Sequence, residues 1–164
     1  MWYDPKKIKY PRNRETGNPS QEDLLKIMAE VPEYTYIAIC DYLKEAIRRD
    51  EIVDIEELER KYFTRPVESA WQTHYLTSFY FLAYYHYRHN LYPLKAMEYL
   101  HMALQERASY DSSCALLIRF YIEGFGVKPN LEKAKEIWKK AKEEINAWPY
   151  KFEIHDYSVF NMEL

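Results

Sequence analysis

Three histidines come closest to a reactive constellation in this chain. His86 and His89 stand three residues apart, which puts them on one face of a helix, and His101 falls on the stretch expected to form the next helix. Three imidazoles so placed could meet around a metal ion. The plainer expectation is three histidines that face solvent or make ordinary hydrogen bonds. Cys40 and Cys114 make neither a disulfide framework nor a zinc motif, and are expected as two buried thiols in a reducing compartment. No P-loop, nucleophile elbow, zinc-protease helix motif or Cys-x-x-Cys pair occurs. Gly124-Phe125-Gly126 follows a helical pattern rather than a strand, so it is not a dinucleotide fingerprint. The alternating lysines and glutamates over 132–144 read as a solvated face. No enzyme, cofactor or metal site is expected on these grounds; a catalytic set scattered along the chain is the exception that spacing alone misses.

The elements that would position any such residues are helices. The 164 residues hold only 3 glycines, where average usage would give about eleven or twelve, and two of the three share one turn. Few primed β-turns are then available. Leu, Glu, Lys, Ala and Tyr dominate, and the eight prolines sit between the apolar-periodic stretches rather than within them. With 48% hydrophobic and 17% aromatic residues, disorder over most of the length is excluded. One domain or one short repeat array is expected at this length. No apolar run approaches the roughly 18 residues of a membrane helix. The start, Met1 to Lys7, has no apolar core of a secretory signal, so a cytoplasmic setting is expected. A net charge of −3 offers no general attraction to nucleic acid.

Residues 1–19 are aperiodic, basic and carry three prolines, which predicts an arm, loose or strapped on by Trp2 and Tyr3. Ser20 caps a helix over about 21–31, and Pro32 opens a second over 33–50 with Ile37, Cys40, Leu43 (or Lys44) and Ile47 inward. Asp54-Ile55-Glu56-Glu57 reads as a capping box opening a third helix over 55–63. Pro66 opens a long aromatic helix over 67–90, Pro93 a fifth over 93–107, and the sixth runs 111–123 to Gly124. Pro129-Asn130 opens the seventh over 131–145, and 146–164 reads as an irregular tail packed on it. The organisation is thus an arm, capping helices over 20–66, two hairpins over 67–107 and 111–145, and a C-terminal cap or tail.

The two hairpins are similar to each other. Tyr84 to Leu91 aligns with Phe120 to Val127 at an offset of 36, whereas Lys95-Ala96 and Ala103 align with Lys133-Ala134 and Ala141 at 38. The second connection is therefore two residues longer, and two such hairpins are the mark of a solenoid. Gly124 should end its helix in a left-handed cap, Gly126 should let the turn run close to the helices, and Val127 should bury in that turn. Ala134 and Ala141 should let two helices approach closely, with Tyr121 filling the space between.

The pattern Leu117, Tyr121, Gly124, Gly126-Val127, Asn130, Lys133-Ala134 resembles the Sel-one-like repeat, a longer-looped relative of the tetratricopeptide repeat. The resemblance covers 113–144 well and 77–107 weakly. It implies an all-α fold, a right-handed α-α superhelix with an N-terminal helical cap, whose concave face, lined by the first helix of each hairpin, binds protein. The chain departs from that pattern at Ile118, where glycine is usual, which implies a wider helix crossing, and at Ile137, with Trp138 beside it, where a large aromatic is usual. Arg88 and Asn90 replace both turn glycines in the first hairpin; asparagine enters the left-handed region more readily than arginine, so the first turn must differ in shape.

The aromatics over 75–92 are too many for one helix face. Phe81 and Tyr85 align with Leu117 and Tyr121 and belong to the core, which leaves Tyr80, His86 and Tyr87, with Arg119, Ile122 and Glu123 in the next unit, pointing elsewhere. Tyr80, His86, Tyr87, Arg119 and Glu123 are the candidate partner-binding residues, tyrosine and arginine being frequent binding anchors; packing against the N-terminal cap is the competing role. Residues 21–60 hold twelve acids and five bases, a surplus of seven negative charges that suits ordinary solubility or a basic partner. The resulting expectation is a protein-interaction module. Its sharper form is an immunity protein that neutralises a basic toxin; alternatives are an adaptor with several weaker partners, a self-associating unit, and a metal-binding or enzymatic domain built on the histidines.

Overall fold

The computed structural model describes residues 19–65 and 67–145. Residues 1–18 of the expected arm, Pro66 and the expected C-terminal cap over 146–164 lie outside the described residues. Within them the chain is all-helical, with no strand: α1 (Gln21–Glu30), α2 (Thr35–Arg49), α3 (Ile55–Tyr62), α4 (Gln72–Arg88), α5 (Pro93–Ala103), α6 (Tyr110–Glu123) and α7 (Leu131–Ile145). No helix among the described residues is long and apolar enough to cross a membrane.

The helix starts follow from their caps. The Asp23 N–H donates to Ser20 Oγ at 3.1 Å, Glu57 N–H to Asp54 Oδ1 at 3.1 Å, and Lys133 N–H to Asn130 Oδ1 at 3.0 Å. Each side chain thus satisfies a donor that the first turn leaves without an intrahelical partner. Two boundaries differ from the sequence reading by more than two residues. The helix expected from 67 begins at Gln72, because Glu68 is extended and Ser69–Trp71 forms a 3-10 turn. The helix expected to run to 107 ends at Ala103, whose carbonyl accepts a 2.7 Å bond from the Ser109 hydroxyl as the chain turns through Arg107–Ser109.

Consecutive helices pack as neighbours: α1 on α2, α4 on α5, α6 on α7, with α2 also lying against α4. This makes α2 and α4 central. In α2, Ile37 is only half-buried, whereas Ala38, Ile39, Leu43 and Ala46 are wholly buried, so its apolar surface is wider than the expected single stripe. Between α2 and α4 lies an aromatic layer in which Tyr36, Phe63, Tyr75 and Phe79 approach at 5.0 to 5.9 Å, mostly edge to face. That geometry sets positive ring edges against negative faces. Tyr85 adds a polar tie: its hydroxyl accepts from Val53 N–H at 2.9 Å and lies 3.3 Å from the Val53 carbonyl, holding the α2–α3 loop on α4.

The main core runs from α1 to α6, and a smaller cluster of Cys114, Ala115, Ile118, Ala134 and Ala141 joins α6 to α7. Both alanine pairs, Ala96 with Ala103 and Ala134 with Ala141, are at most 1% exposed. Ile118 is fully buried at this second crossing. Both cysteines are buried and form no disulfide, and burial, with Glu144 and Asp111 nearby, pushes the Cys114 thiol up to about 12.

Candidate functional site

Side chains from α4 and α6 meet at an open depression of about 630 Å³ that Tyr87, Arg88, Glu123 and Phe125 help to line. Tyr87 and Glu123 occupy equivalent places in the two hairpins. The Tyr87 hydroxyl donates to Glu123 Oε2 at 2.6 Å, and Arg119 stands within hydrogen-bonding reach of the same hydroxyl. Partial burial and the Glu123 carboxylate push the phenol up to about 12, so it stays a neutral donor. The Tyr87 ring packs on Phe120 at 5.5 Å and edge-on to Phe125 at 5.4 Å. Three of the five expected residues, Tyr87, Arg119 and Glu123, are therefore brought together with solvent access.

The other two are not. Tyr80 is 1% exposed and His86 is 0% exposed, so neither can touch a partner. The reason is the central position of α4, which α2 covers on one side and α5 on another, with the 107–109 turn also against it. His86 instead belongs to a polar network that sequence spacing did not reveal. Its Nε2 lies 3.2 Å from Glu59 Oε1, and the other oxygen of Glu59 pairs with Lys95 Nζ. Tyr99 also hydrogen-bonds to Glu59. Burial acts to raise the Glu59 pKa, but bonds from His86, Lys95 and Tyr99 outweigh it and hold the carboxyl below its ordinary range. The opposite effect falls on Tyr99, whose phenol burial and the Glu59 carboxylate push strongly upward.

A signal for this network was present in α3. Ile55, Leu58, Glu59 and Tyr62 follow the i, i+3, i+4, i+7 spacing of a buried face, which places an acid in an apolar stripe. Its partners come from α4 and α5, far along the chain, so the stripe alone does not identify them.

The histidines do not converge on a metal site. His86 is turned to Glu59, the His89 ring lies 4.4 Å from Tyr85, and His101 is exposed on α5. Among the described residues no group of three His, Cys, Asp or Glu side chains is arranged to hold a metal ion.

Comparison with protein-family models, with curated proteins and with solved structures finds no match to the chain.

Proposed function

We propose that this chain is a non-enzymatic protein-binding module, a short α-α superhelix of the Sel-one-like type in which α1–α3 cap the hairpins α4–α5 and α6–α7. Three features support the superhelix. The equivalent residues Tyr87 and Glu123 bond across the hairpins, the alanine pairs recur at equivalent positions, and Gly126 is packed against Pro93 of the preceding hairpin. The observation that carries the binding role is the cluster of Tyr87, Arg119 and Glu123. It sets a tyrosine, an arginine and a carboxylate at the rim of an open depression between first helices of successive hairpins. Aromatic and guanidinium groups held part-buried lose little freedom when a partner covers them.

The partner we propose is a basic protein, and an immunity role against a toxin is the sharper form of the reading. The acidic surplus of 21–60 supports this: Glu22, Glu30, Glu33, Asp50, Asp54 and Glu56 are all exposed on α1–α3 or the adjoining turns. Such a surface raises the rate at which an oppositely charged protein arrives. The test is recovery of partners of the tagged chain from native lysate, repeated with Tyr87→Ala plus Arg119→Ala. One stoichiometric basic partner at nanomolar affinity or tighter, lost in the double variant, is the expected result. Several weak partners would replace immunity with an adaptor role, and a partner retained by the variant would move the site off the α4–α6 face.

A further inference from the structure

A second depression, of about 550 Å³, opens between α3 and α5. Its walls are Tyr92, Tyr99 and Phe63, and its acids are Glu56 and Glu59. His86 lies beneath, 5.6 Å from the Tyr92 ring and 5.9 Å from the Tyr99 ring. A cation already sits here, and the chain supplies it. Lys95 Nζ stands 5.8 Å from the centroids of both Tyr92 and Tyr99 while pairing with Glu59. Ring faces and a carboxylate around one ammonium are the two attractions that select cations over neutral groups.

We propose that this depression is a binding cage for an arginine side chain of the partner, and that Lys95 is its internal stand-in. The inference rests on the protein-binding reading above and names a contact within it. Lys95 is a replaceable occupant: its side chain is 41% exposed, so its ammonium can swing to water, whereas Glu59 at 10% cannot. The lysine also leaves one acid to other groups. Its ammonium pairs with Glu59, while Glu56 accepts from the Tyr92 hydroxyl at 2.9 Å. A guanidinium has a planar fork of donors that can engage two carboxylates and still stack on a ring, which a point-like ammonium does not. Besides Lys95, the cation lining the depression among the described residues is Arg60, whose guanidinium lies 3.9 Å from Glu57 and is 72% exposed, free to turn outward.

The experiment is a titration of the full chain with N-acetyl-arginine amide, followed by NMR of the tyrosine and phenylalanine ring signals. N-acetyl-citrulline amide, similar in shape and uncharged, is the control. In wild type the probe must displace Lys95. Lys95→Met removes that competitor and keeps an apolar stem, so binding should tighten about tenfold if the lysine occupies the cage about nine-tenths of the time. Tyr92→Ala, at an exposed position, should abolish the shifts in either background. Equal binding of the citrulline compound, or a Lys95→Met protein with native spectral dispersion that fails to bind, would overturn the cage. Should Lys95→Met not fold, unchanged wild-type binding in Tyr92→Ala overturns it instead. The probe needs no partner protein, so its failure sinks the cage alone, and failure to recover any partner sinks the module reading while the probe result still stands.

Discussion

The turn that closes α4 on α5 and the turn that closes α6 on α7 hold different residues in the left-handed region. The first uses Asn90 at φ 53° and Tyr92 at φ 41°; the second uses Gly124 at φ 79° and Gly126 at φ 71°. Conformation alone does not require glycine in such places, since asparagine accepts it at modest cost. Space does. A Cβ on Gly126 would lie 2.3 Å from the Pro93 carbonyl oxygen, and one on Gly124 would lie 2.6 Å from the Pro129 ring. The second turn thus meets the preceding hairpin through backbone. The first turn meets the N-terminal helices through long side chains, Tyr92 on Glu56 and Arg88 near Asp50 at 3.7 Å. At these turns the two hairpins meet through backbone, whereas α4–α5 meets the N-terminal helices through exposed polar side chains.

Substituting the glycines breaks this comparison most directly. Gly126→Ala should cost about 4 kcal/mol, because the clash is with backbone that cannot rotate away and the left-handed strain adds to it. Gly124→Ala should cost about 2 kcal/mol, since the clash is with the outer atoms of a proline ring. Asn90→Gly should stay within about 0.5 kcal/mol of wild type, the position tolerating both residues. Urea unfolding of the three variants checks the order. An Asn90→Gly loss as large as that of Gly126→Ala would mean that the two turns do the same job.

The next contrast is between equivalent lysines. Lys95 reaches the buried Glu59 of α3, whereas Lys133 pairs with Glu136, 3.5 Å away on its own exposed face. Glu59→Gln should therefore cost about 2 kcal/mol, because a buried charged hydrogen-bond set is broken. Glu136→Gln should change stability by less than about 0.5 kcal/mol, as exposed pairs do. The first effect should depend on pH. The Glu59 carboxyl is held below its ordinary 4.5 in the folded chain, so its stabilisation is complete above that pH and is lost as pH falls through the depressed value. The gap between wild type and Glu59→Gln in urea midpoint should close on that descent. A gap that stays constant would show that the Glu59 charge plays no part.

These contrasts also mark what could be read in the chain beforehand. Local punctuation was legible: Ser20, Asp54 and Asn130 announce their helices because a short polar side chain before an apolar period has one economical use, and Gly124 announces a left-handed stop. The alanine spacing was legible for the same reason, as a property of one helix face. The docking of α2 and α3 on α4 was not. It depends on residues that do not repeat, and it decides that Tyr80 and His86 are interior while Tyr87, seven and one positions further along, reaches the surface. Sequence alignment between the hairpins proposes which residues leave the core; it could not say that neighbouring helices would cover Tyr80 and His86. The surviving site residues are those at the end of α4 and α6, beyond the reach of that cover.

The smallest expected effect tests the bond that joins the hairpins at that end. Tyr87→Phe removes the 2.6 Å donation to Glu123 and leaves the ring on Phe120 and Phe125. With Glu123 able to turn to water, the loss should be about 0.5 to 1 kcal/mol near neutral pH. The sign of its pH dependence is opposite to that of Glu59. The Tyr87 phenol is raised from 10.0 to about 12 in the folded chain, so its contribution is complete below pH 10 and is lost as pH rises toward 12. Wild type should lose its advantage over Tyr87→Phe across that window, and a tyrosine that ionises late in the alkaline absorbance titration should vanish from the variant. No advantage at neutral pH would mean that ring packing alone, and not the hydroxyl bridge, links the two hairpins, and an advantage that persists above pH 12 would mean that the hydroxyl acts other than by donating to Glu123.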